Sequence, residues 1–448
     1  MPTTPETASP VFKNHQHFLE ELPKTGADTL AGKMLRQFWH PVCLTSDLLD
    51  VPYPVRMLGE DLVAFRGLDG HVGLVNQRCA HRCASLVYGQ ITKDGLKCSY
   101  HGWTYDTRGR CTVMPLEPIN SPALQRVKQV WYPVQEWAGI VWTYMGDDKD
   151  TPPSLPKIDI LSRTDGEIVM ERGDIRAYNY LNFVENFADM GHIYVMHMLE
   201  PGKVPKELEP YVDHTVDTNW RSIEHRAFET DFGMKCVLVH NTADANLKYV
   251  NTWSIVPPAV YRFGGIHAGL PPDFTNDRRE SGGILRIIDD THFEMFRFQL
   301  IRPGNFRTTF YPVPTDKTRG VGNGLRGTVE KKDYDIRKYP AWEGLPQVED
   351  YVLQESQGEI APRHLEHLAT SDIGVAMLRR LWRRGMEAVA KGNKPKLPKT
   401  GDDGVVRVDT FKGLAHPDEI KLSPENMPSS EEGRGLIRDK HGELIFGK

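Results

Sequence analysis

This 448-residue chain has few cysteines, no long apolar run and no excess of either charge. Each shortage removes a class of protein. Its most apolar stretch, residues 138–145, is far too short to span a bilayer. Lys and Arg number 55 against 60 Asp and Glu, a net charge of -5 spread along the chain, so neither a nucleic acid nor an anionic membrane is expected as a partner. The opening MPTTPETASPVFKNHQHF lacks the basic start and apolar core of a signal peptide, and a cytoplasmic protein is the expectation. No internal repeat or low-complexity tract is present. What remains is an ordinary globular composition, 39% hydrophobic and 26% charged, long enough for two or more domains.

The six cysteines are Cys43, Cys79, Cys83, Cys98, Cys111 and Cys236, and four of them fall between 79 and 111. In a reducing compartment such a cluster reads as metal-binding rather than disulfide-forming. Cys79-Ala80-His81 and Cys98-Ser99-Tyr100-His101 form the pattern C-x-H-x₁₆-C-x₂-H. Each half supplies one thiolate and one imidazole. A Rieske [2Fe–2S] cluster needs two Cys on one iron and two His on the other, which these loops deliver. Structural zinc usually pairs like with like, as C-x₂-C or H-x₃₋₅-H, and fits this mixed pattern poorly.

A second constellation lies at 182–197. On an ideal helix Asn182, Glu185, Asn186, His192 and His197 fall within about 80° of Asp189. The opposite side carries Phe183, Val184, Phe187, Tyr194 and Val195. A buried polar stripe is costly unless it binds something. His192 and His197 with one further carboxylate would make a 2-His-1-carboxylate face suited to Fe(II). On chemistry alone that carboxylate is open among Glu349, Asp350 and Glu355.

These strings carry a resemblance. Cys79-Ala-His-Arg, Tyr100-His-Gly-Trp-Thr-Tyr-Asp, and N-x-x-E-N-x-x-D-x-x-H-x₄-H at 182–197 resemble Rieske non-haem iron ring-hydroxylating oxygenases, alpha (oxygenase) subunit. Residues 348–357 with Gly358-Glu-Ile look like the phthalate dioxygenase branch. The resemblance covers roughly residues 20–395. It implies iron ligation by His192, His197 and Asp350, with Asp189 bridging to a cluster histidine of a neighbouring subunit. It further implies a homotrimer, an NAD(P)H-dependent reductase with or without a ferredoxin as partner, and a small aromatic substrate with O₂. Respiratory Rieske proteins add one Cys per loop as a disulfide; here the second loop has only Cys98, so Cys83 lacks that partner. Cys83 sits where oxygenase relatives often have Gly, and it reads as a small buried residue, as do Cys43, Cys111 and Cys236.

The expected fold is α+β: a β-rich Rieske domain plus a helix-grip catalytic domain, an antiparallel sheet wrapped on a long helix. Expected boundaries are 1–44, a helical segment packing on the catalytic domain; 45–150, the Rieske domain; 151–395, the catalytic domain; and 396–448, a loosely packed tail. Helices are expected over 30–39, 178–199 and between Ser371 and Gly392, strands at 249–256 and 293–301, and a long loop over 313–349.

Lys235, Arg226 and Arg262 are candidate pocket cations for a substrate carboxylate. Gly322-Asn-Gly324-Leu-Arg-Gly327 fits G-x-G-x-x-G but lacks the strand–turn–helix setting of a dinucleotide site. No separate Cys set for a plant-type ferredoxin cluster exists, so electrons must come from outside. The expected activity is hydroxylation of an aromatic carboxylic acid, as in phthalate- or benzoate-like dioxygenases. An O-demethylase or monooxygenase of the same family is the alternative, and a Rieske-type electron carrier the non-enzymatic one. The carrier leaves the helix at 182–197 unexplained.

Overall fold

The computed structural model describes residues 11–196, 223–241, 246, 248–264, 280–301, 346–408, 410 and 412–415. The chain divides into two compact units. Met1–Pro156, Leu285–Asp290 and Gly385–Pro395 form the first; Lys157–Ile284, Thr291–Arg384 and Lys396–Lys448 form the second. Residues 11–44 thus fall in the first unit.

The first unit opens with helices α1 (His15–Glu21) and α2 (Leu30–Leu35) and carries a third, α3 (Pro122–Arg126), further along. The helix expected over 30–39 starts where the Thr29 side chain caps Gly32 N–H, but it stops at Leu35. Trp39 is instead taken by strand pairing with Tyr144, because tertiary contacts outweigh local propensity. Eleven strands follow: β1 (Trp39–Leu44), β2 (Tyr53–Met57), β3 (Glu60–Arg66), β4 (Val72–Asn76), β5 (Gln90–Thr92), β6 (Gly95–Lys97), β7 (Thr104–Tyr105), β8 (Cys111–Val113), β9 (Trp131–Tyr132), β10 (Val134–Trp137) and β11 (Ile140–Tyr144). They form three antiparallel sheets, ordered β1-β11-β10, β2-β3-β4-β9 and β5-β6-β7-β8. One core, between the second and third of these sheets, includes Val63, Phe65, Val75, Leu86, Leu96 and Tyr105, and it takes in Cys79 and Cys98. Each fully buried apolar side chain there stabilises the unit by about 1.5–3 kcal/mol.

In the second unit, β12 (Lys157–Ile158) precedes an eight-stranded sheet. Seven of its strands are β13 (Glu167–Arg176), β14 (Glu224–Glu229), β15 (Met234–Asn241), β16 (Lys248–Val256), β17 (Val260–Gly264), β18 (Glu280–Asp289), which runs on into the Leu285–Asp290 segment of the first unit, and β19 (His292–Ile301), in the order β13-β19-β18-β17-β16-β15-β14; the eighth pairs with β16. The two strands expected at 249–256 and 293–301 are β16 and β19. Helix α4 (Tyr180–Ala188) lies on one face of this sheet. Phe187 packs 4.4 Å from Trp253 and 4.2 Å from Tyr261, and Phe183 lies 5.6 Å from Phe293, centroid to centroid. The expected long helix is α7 (Ile373–Ala390). It approaches α4 so closely that a Cβ on Gly374 would stand 2.0 Å from the Ala188 carbonyl oxygen, so only glycine fits there.

Two expectations fail. The helix expected over 178–199 is broken: α4 ends at Ala188 and α5 (His192–Met196) begins after a gap at Asp189–Gly191. The tail is not loose from its start. Strand β20 (Val405–Val406) pairs in parallel with β12, and β21 (Lys412–Ala415) adds to β16. Nearly all of the loop expected at 313–349, with the Gly-rich string at 322–327, lies outside the described residues. Helix α6 (Pro346–Ser356) begins inside that span and takes its last four positions.

Candidate metal centres

The first centre is built from two loops with one backbone pattern. Cys79 N–H donates to the Ala84 carbonyl and Cys83 N–H to that of Cys79, both at 2.9 Å. Cys98 N–H donates to Trp103 at 2.8 Å and Gly102 N–H to Cys98 at 2.9 Å. The two thiols are buried side by side, and the two imidazoles sit together at the rim with ring centroids 4.6 Å apart. His81 stacks on Trp103 at 4.3 Å, and His101 packs on Tyr100 at 3.8 Å. Burial pushes the Cys79 thiol above its ordinary pKa, and neighbouring Cys98 adds to this. Two buried thiolates side by side need positive charge between them. The Tyr105 hydroxyl lies 3.2 Å from Cys79 Sγ and can donate to a thiolate there. Cysteines inside and histidines outside suit a centre ligated pairwise. No three His, Cys, Asp or Glu among the described residues gather on a single ion.

The second centre depends on the helix break. Because α4 stops, the Asp189 carbonyl is free of a helical partner and meets His192 Nδ1. A carbonyl only accepts, so Nδ1 carries the proton and Nε2 keeps its lone pair. That Nε2 lies 3.5 Å from Asp350 Oδ1. Asn186 Nδ2 donates to Asp350 Oδ1 at 3.2 Å and sits 3.5 Å from Nε2. Two acceptors aimed at each other repel unless a cation joins them, and their spacing suits neighbouring ligands of one metal ion. His197 and the side chain of Glu349 lie outside the described residues. Asp189 Oδ1 accepts from Gly191 N–H at 2.9 Å, and its Oδ2 stands 3.9 Å from His192 Nδ1.

The polar stripe splits into two jobs. Asn182 and Glu185 do not face His192 and Asp350. Asn182 donates to the Gly358 carbonyl at 3.2 Å and accepts from Ala361 N–H. Glu185 is gripped by Arg363 Nη2 at 2.8 Å and Arg379 Nε at 2.7 Å. Burial works to raise the Glu185 pKa, but the two guanidiniums outweigh it and leave the carboxyl below its ordinary range. Sequence reasoning missed Arg363 and Arg379, whose contacts with Glu185 span 178 and 194 residues. It also missed His225 on the inner side of β14. Burial lowers the pKa of His225, with Asp189 and Asp372 acting against it.

The three cations proposed for substrate lie on the wrong face. Side chains alternate along a strand, and directly paired residues share a face. Cys236 Sγ donates to the Ala188 carbonyl at 3.5 Å, so even positions of β15 face α4. Lys235 points the other way, in a row with Ser254 and Arg262. Arg226 pairs with Val237 on that same outer face and forms an ion pair with Glu224. Arg262 is 0% exposed and holds Asp159 at 2.7 Å and Glu280 at 3.3 Å. Its charge is already neutralised, which removes it as a substrate anchor. Burial also pushes the Cys236 thiol up to about 12, so it stays protonated.

Residues 38–127 match the family model for the Rieske [2Fe-2S] domain. The chain is 31% identical over 398 residues to phenoxybenzoate dioxygenase subunit alpha of Ectopseudomonas oleovorans, covering 84% of this chain and 86% of that one. It is 30% identical over 429 residues to the tert-butanol monooxygenase / tert-amyl alcohol desaturase oxygenase subunit of Aquincola tertiaricarbonis, covering 93% and 86%. Its fold is similar to that of Pseudomonas putida CBB5 NdmA, with a TM-score of 0.54 at 21% identity over 81% of this chain and 94% of that one. An α+β fold with these two centres defines an iron-dependent oxygenase. The chain belongs to the Rieske non-haem iron oxygenases, as an alpha (oxygenase) subunit. Its cofactors are accordingly a [2Fe–2S] Rieske cluster and a mononuclear iron, and its electrons come from a reductase system. No helix among the described residues is long and apolar enough to cross a membrane.

Proposed function

We propose that this oxygenase hydroxylates an aromatic carboxylic acid, in the manner of phthalate- or benzoate-type dioxygenases. The observation that carries the reading is the meeting of His192 Nε2 and Asp350 Oδ1 at 3.5 Å beside a face walled by Phe183, Phe187, Trp253 and Tyr261. Aromatic walls bind a flat ring and exclude water. The phenoxybenzoate named for one relative is an acid of this class.

Cys79 and Cys98 would hold one iron of the cluster, and His81 and His101 the other. His192, His197 and Asp350 would hold the mononuclear iron. When bound, these centres supply single-electron transfer and O₂ activation. The protein's own part is positional. The Asp189 carbonyl fixes the His192 tautomer, and Asn186 steadies Asp350. The Asp189 carboxylate, poised by Gly191 N–H, is the link toward a cluster histidine of a neighbouring subunit. The subunits would form a homotrimer in the cytoplasm, served by an NAD(P)H-dependent reductase with or without a ferredoxin. Monohydroxylation or O-demethylation is the second reading, favoured by the monooxygenase named among the relatives.

Iron and acid-labile sulfide on protein purified without oxygen test the assignment. The native chain should hold about three iron and about two sulfide. His192→Ala should lose about one iron and all turnover while keeping the cluster colour. Turnover surviving that substitution would refute the iron site.

A further inference from the structure

The inner face of the sheet carries two arginines that the sequence did not single out. Arg176, the last residue of β13, pairs directly with Phe293. Phe293 packs its ring on Phe183 at 5.6 Å and on Tyr178 at 5.4 Å, so Arg176 shares the face on which α4 lies. On β19, Arg297 follows Phe293 and Met295 at alternate positions and so shares their face. Met295 Sδ meets the Tyr261 hydroxyl on this same face.

Arg176 Cζ stands 4.1 Å from the centroid of the Tyr351 ring, and Tyr351 follows Asp350 on α6. An arginine stacked on an aromatic face keeps its N–H fork in the guanidinium plane, directed past the ring edge. Arg262, Arg363 and Arg379 are each held by a carboxylate at 2.7–2.8 Å. Among the described residues no carboxylate pairs with Arg176 in this way. Burial raises the Tyr261 hydroxyl pKa, Arg297 and Arg176 pull it down, and Asp350 pushes it up. The two cations and the carboxylate therefore act on one hydroxyl. Most side chains of this face are buried, yet Phe183, Trp253, Arg176 and Arg297 stay partly exposed, which outlines its accessible part.

We infer that Arg176 anchors the carboxylate of the substrate, orienting its ring along the aromatic wall beside Asp350, with Arg297 as the second cation of that face. A bidentate guanidinium–carboxylate pair fixes direction as well as affinity. The inference rests on the aromatic-acid reading above and names the residue that would give it specificity.

The test is calorimetric binding to the iron-loaded, oxygen-free oxygenase, without turnover. The probes are benzoate and 3-phenoxybenzoate, each beside its carboxamide. The native enzyme should prefer acids to amides by about tenfold or more, and Arg176→Gln should abolish that preference while changing amide affinity less than about twofold. In turnover, the same variant should raise KM for the acid more than it lowers kcat. If the native enzyme prefers acids and Arg176→Gln keeps the preference, the anchor is overturned while the aromatic-acid reading stands. If the native enzyme shows no preference for acids, the aromatic-acid reading falls and the anchor with it. Should Arg176→Gln fail to retain cluster colour, Arg176→Lys decides. Replacing the fork by a point charge should weaken acids several-fold, and unchanged acid affinity would overturn the anchor.

Discussion

Cys83 and Gly102 occupy the same place in two copies of one loop. Each follows Cys79 or Cys98 by four residues and donates its N–H to that cysteine's carbonyl at 2.9 Å. Each also has left-handed backbone, with φ of 58° and 77°. Glycine adopts that conformation freely, whereas a cysteine is strained there.

Cys83→Gly should therefore stabilise the first unit by about 0.5–1 kcal/mol. Cys83 is exposed, not buried as expected from its size and setting, because its left-handed backbone leaves the side chain outside the loop, and the change should leave cluster colour and content intact. A urea midpoint unchanged or lowered would show that the Cys83 side chain contributes something the backbone argument omits.

Tyr105 is fully buried, with its hydroxyl 3.2 Å from Cys79 Sγ. A donor to a cluster thiolate stabilises the reduced, more negative state. Tyr105→Phe should lower the cluster potential by about 40 mV, the equivalent of a hydrogen bond worth ~1 kcal/mol. Redox titration of the cluster's visible absorbance measures it, and an unchanged potential would show that the hydroxyl does not donate to the sulfur.

Glu185→Gln removes the counter-charge from Arg363, whose side chain is 1% exposed, and from Arg379. The expected cost is about 3–5 kcal/mol, with loss of mononuclear iron as α4 loosens. Since the folded-state pKa of Glu185 is lowered, its contribution is full above the unfolded value of 4.5 and is lost as pH falls through the folded one. Acid titrations of stability should thus be flatter in the variant than in the native chain.

His40 lies fully buried in β1, its Nε2 donating to the Leu35 carbonyl at 2.8 Å while Nδ1 has no hydrogen-bond partner among the described residues. Burial lowers its pKa from 6.5 to about 4. Between those values the unfolded chain takes up a proton that the folded chain refuses. Stability is therefore full above about pH 6.5 and should fall by up to roughly 3 kcal/mol as pH drops toward 4. Denaturant midpoints at several pH values would show the slope, and His40→Gln should flatten it.

How much of this could be read from the sequence depended on range. Cys79, His81, Cys98 and His101 announce themselves because each loop closes locally, so spacing alone encodes the geometry. His192 and Asp189 were legible for the same reason. The partners of Asn182 and Glu185 lie 176 to 194 residues away, and a helical-wheel reading therefore gave the whole stripe to the metal. The cations failed on parity. Whether Lys235 or Arg176 faces the site depends on which side of each strand meets α4, and composition around a strand does not reveal that. The break after Ala188 was also hidden, since a gap of three residues barely disturbs an apolar period.

That break has a consequence for mutagenesis. In an unbroken helix the Asp189 carbonyl would bond the N–H of Ile193; here it holds an imidazole instead. Part of what fixes the His192 tautomer is thus written in main-chain geometry, and truncating side chains one by one would never expose it. A redesign that straightened the segment with strong helix formers would raise local stability. It would also release the His192 proton to wander between nitrogens, and so blunt the ligand without altering a single ligating residue.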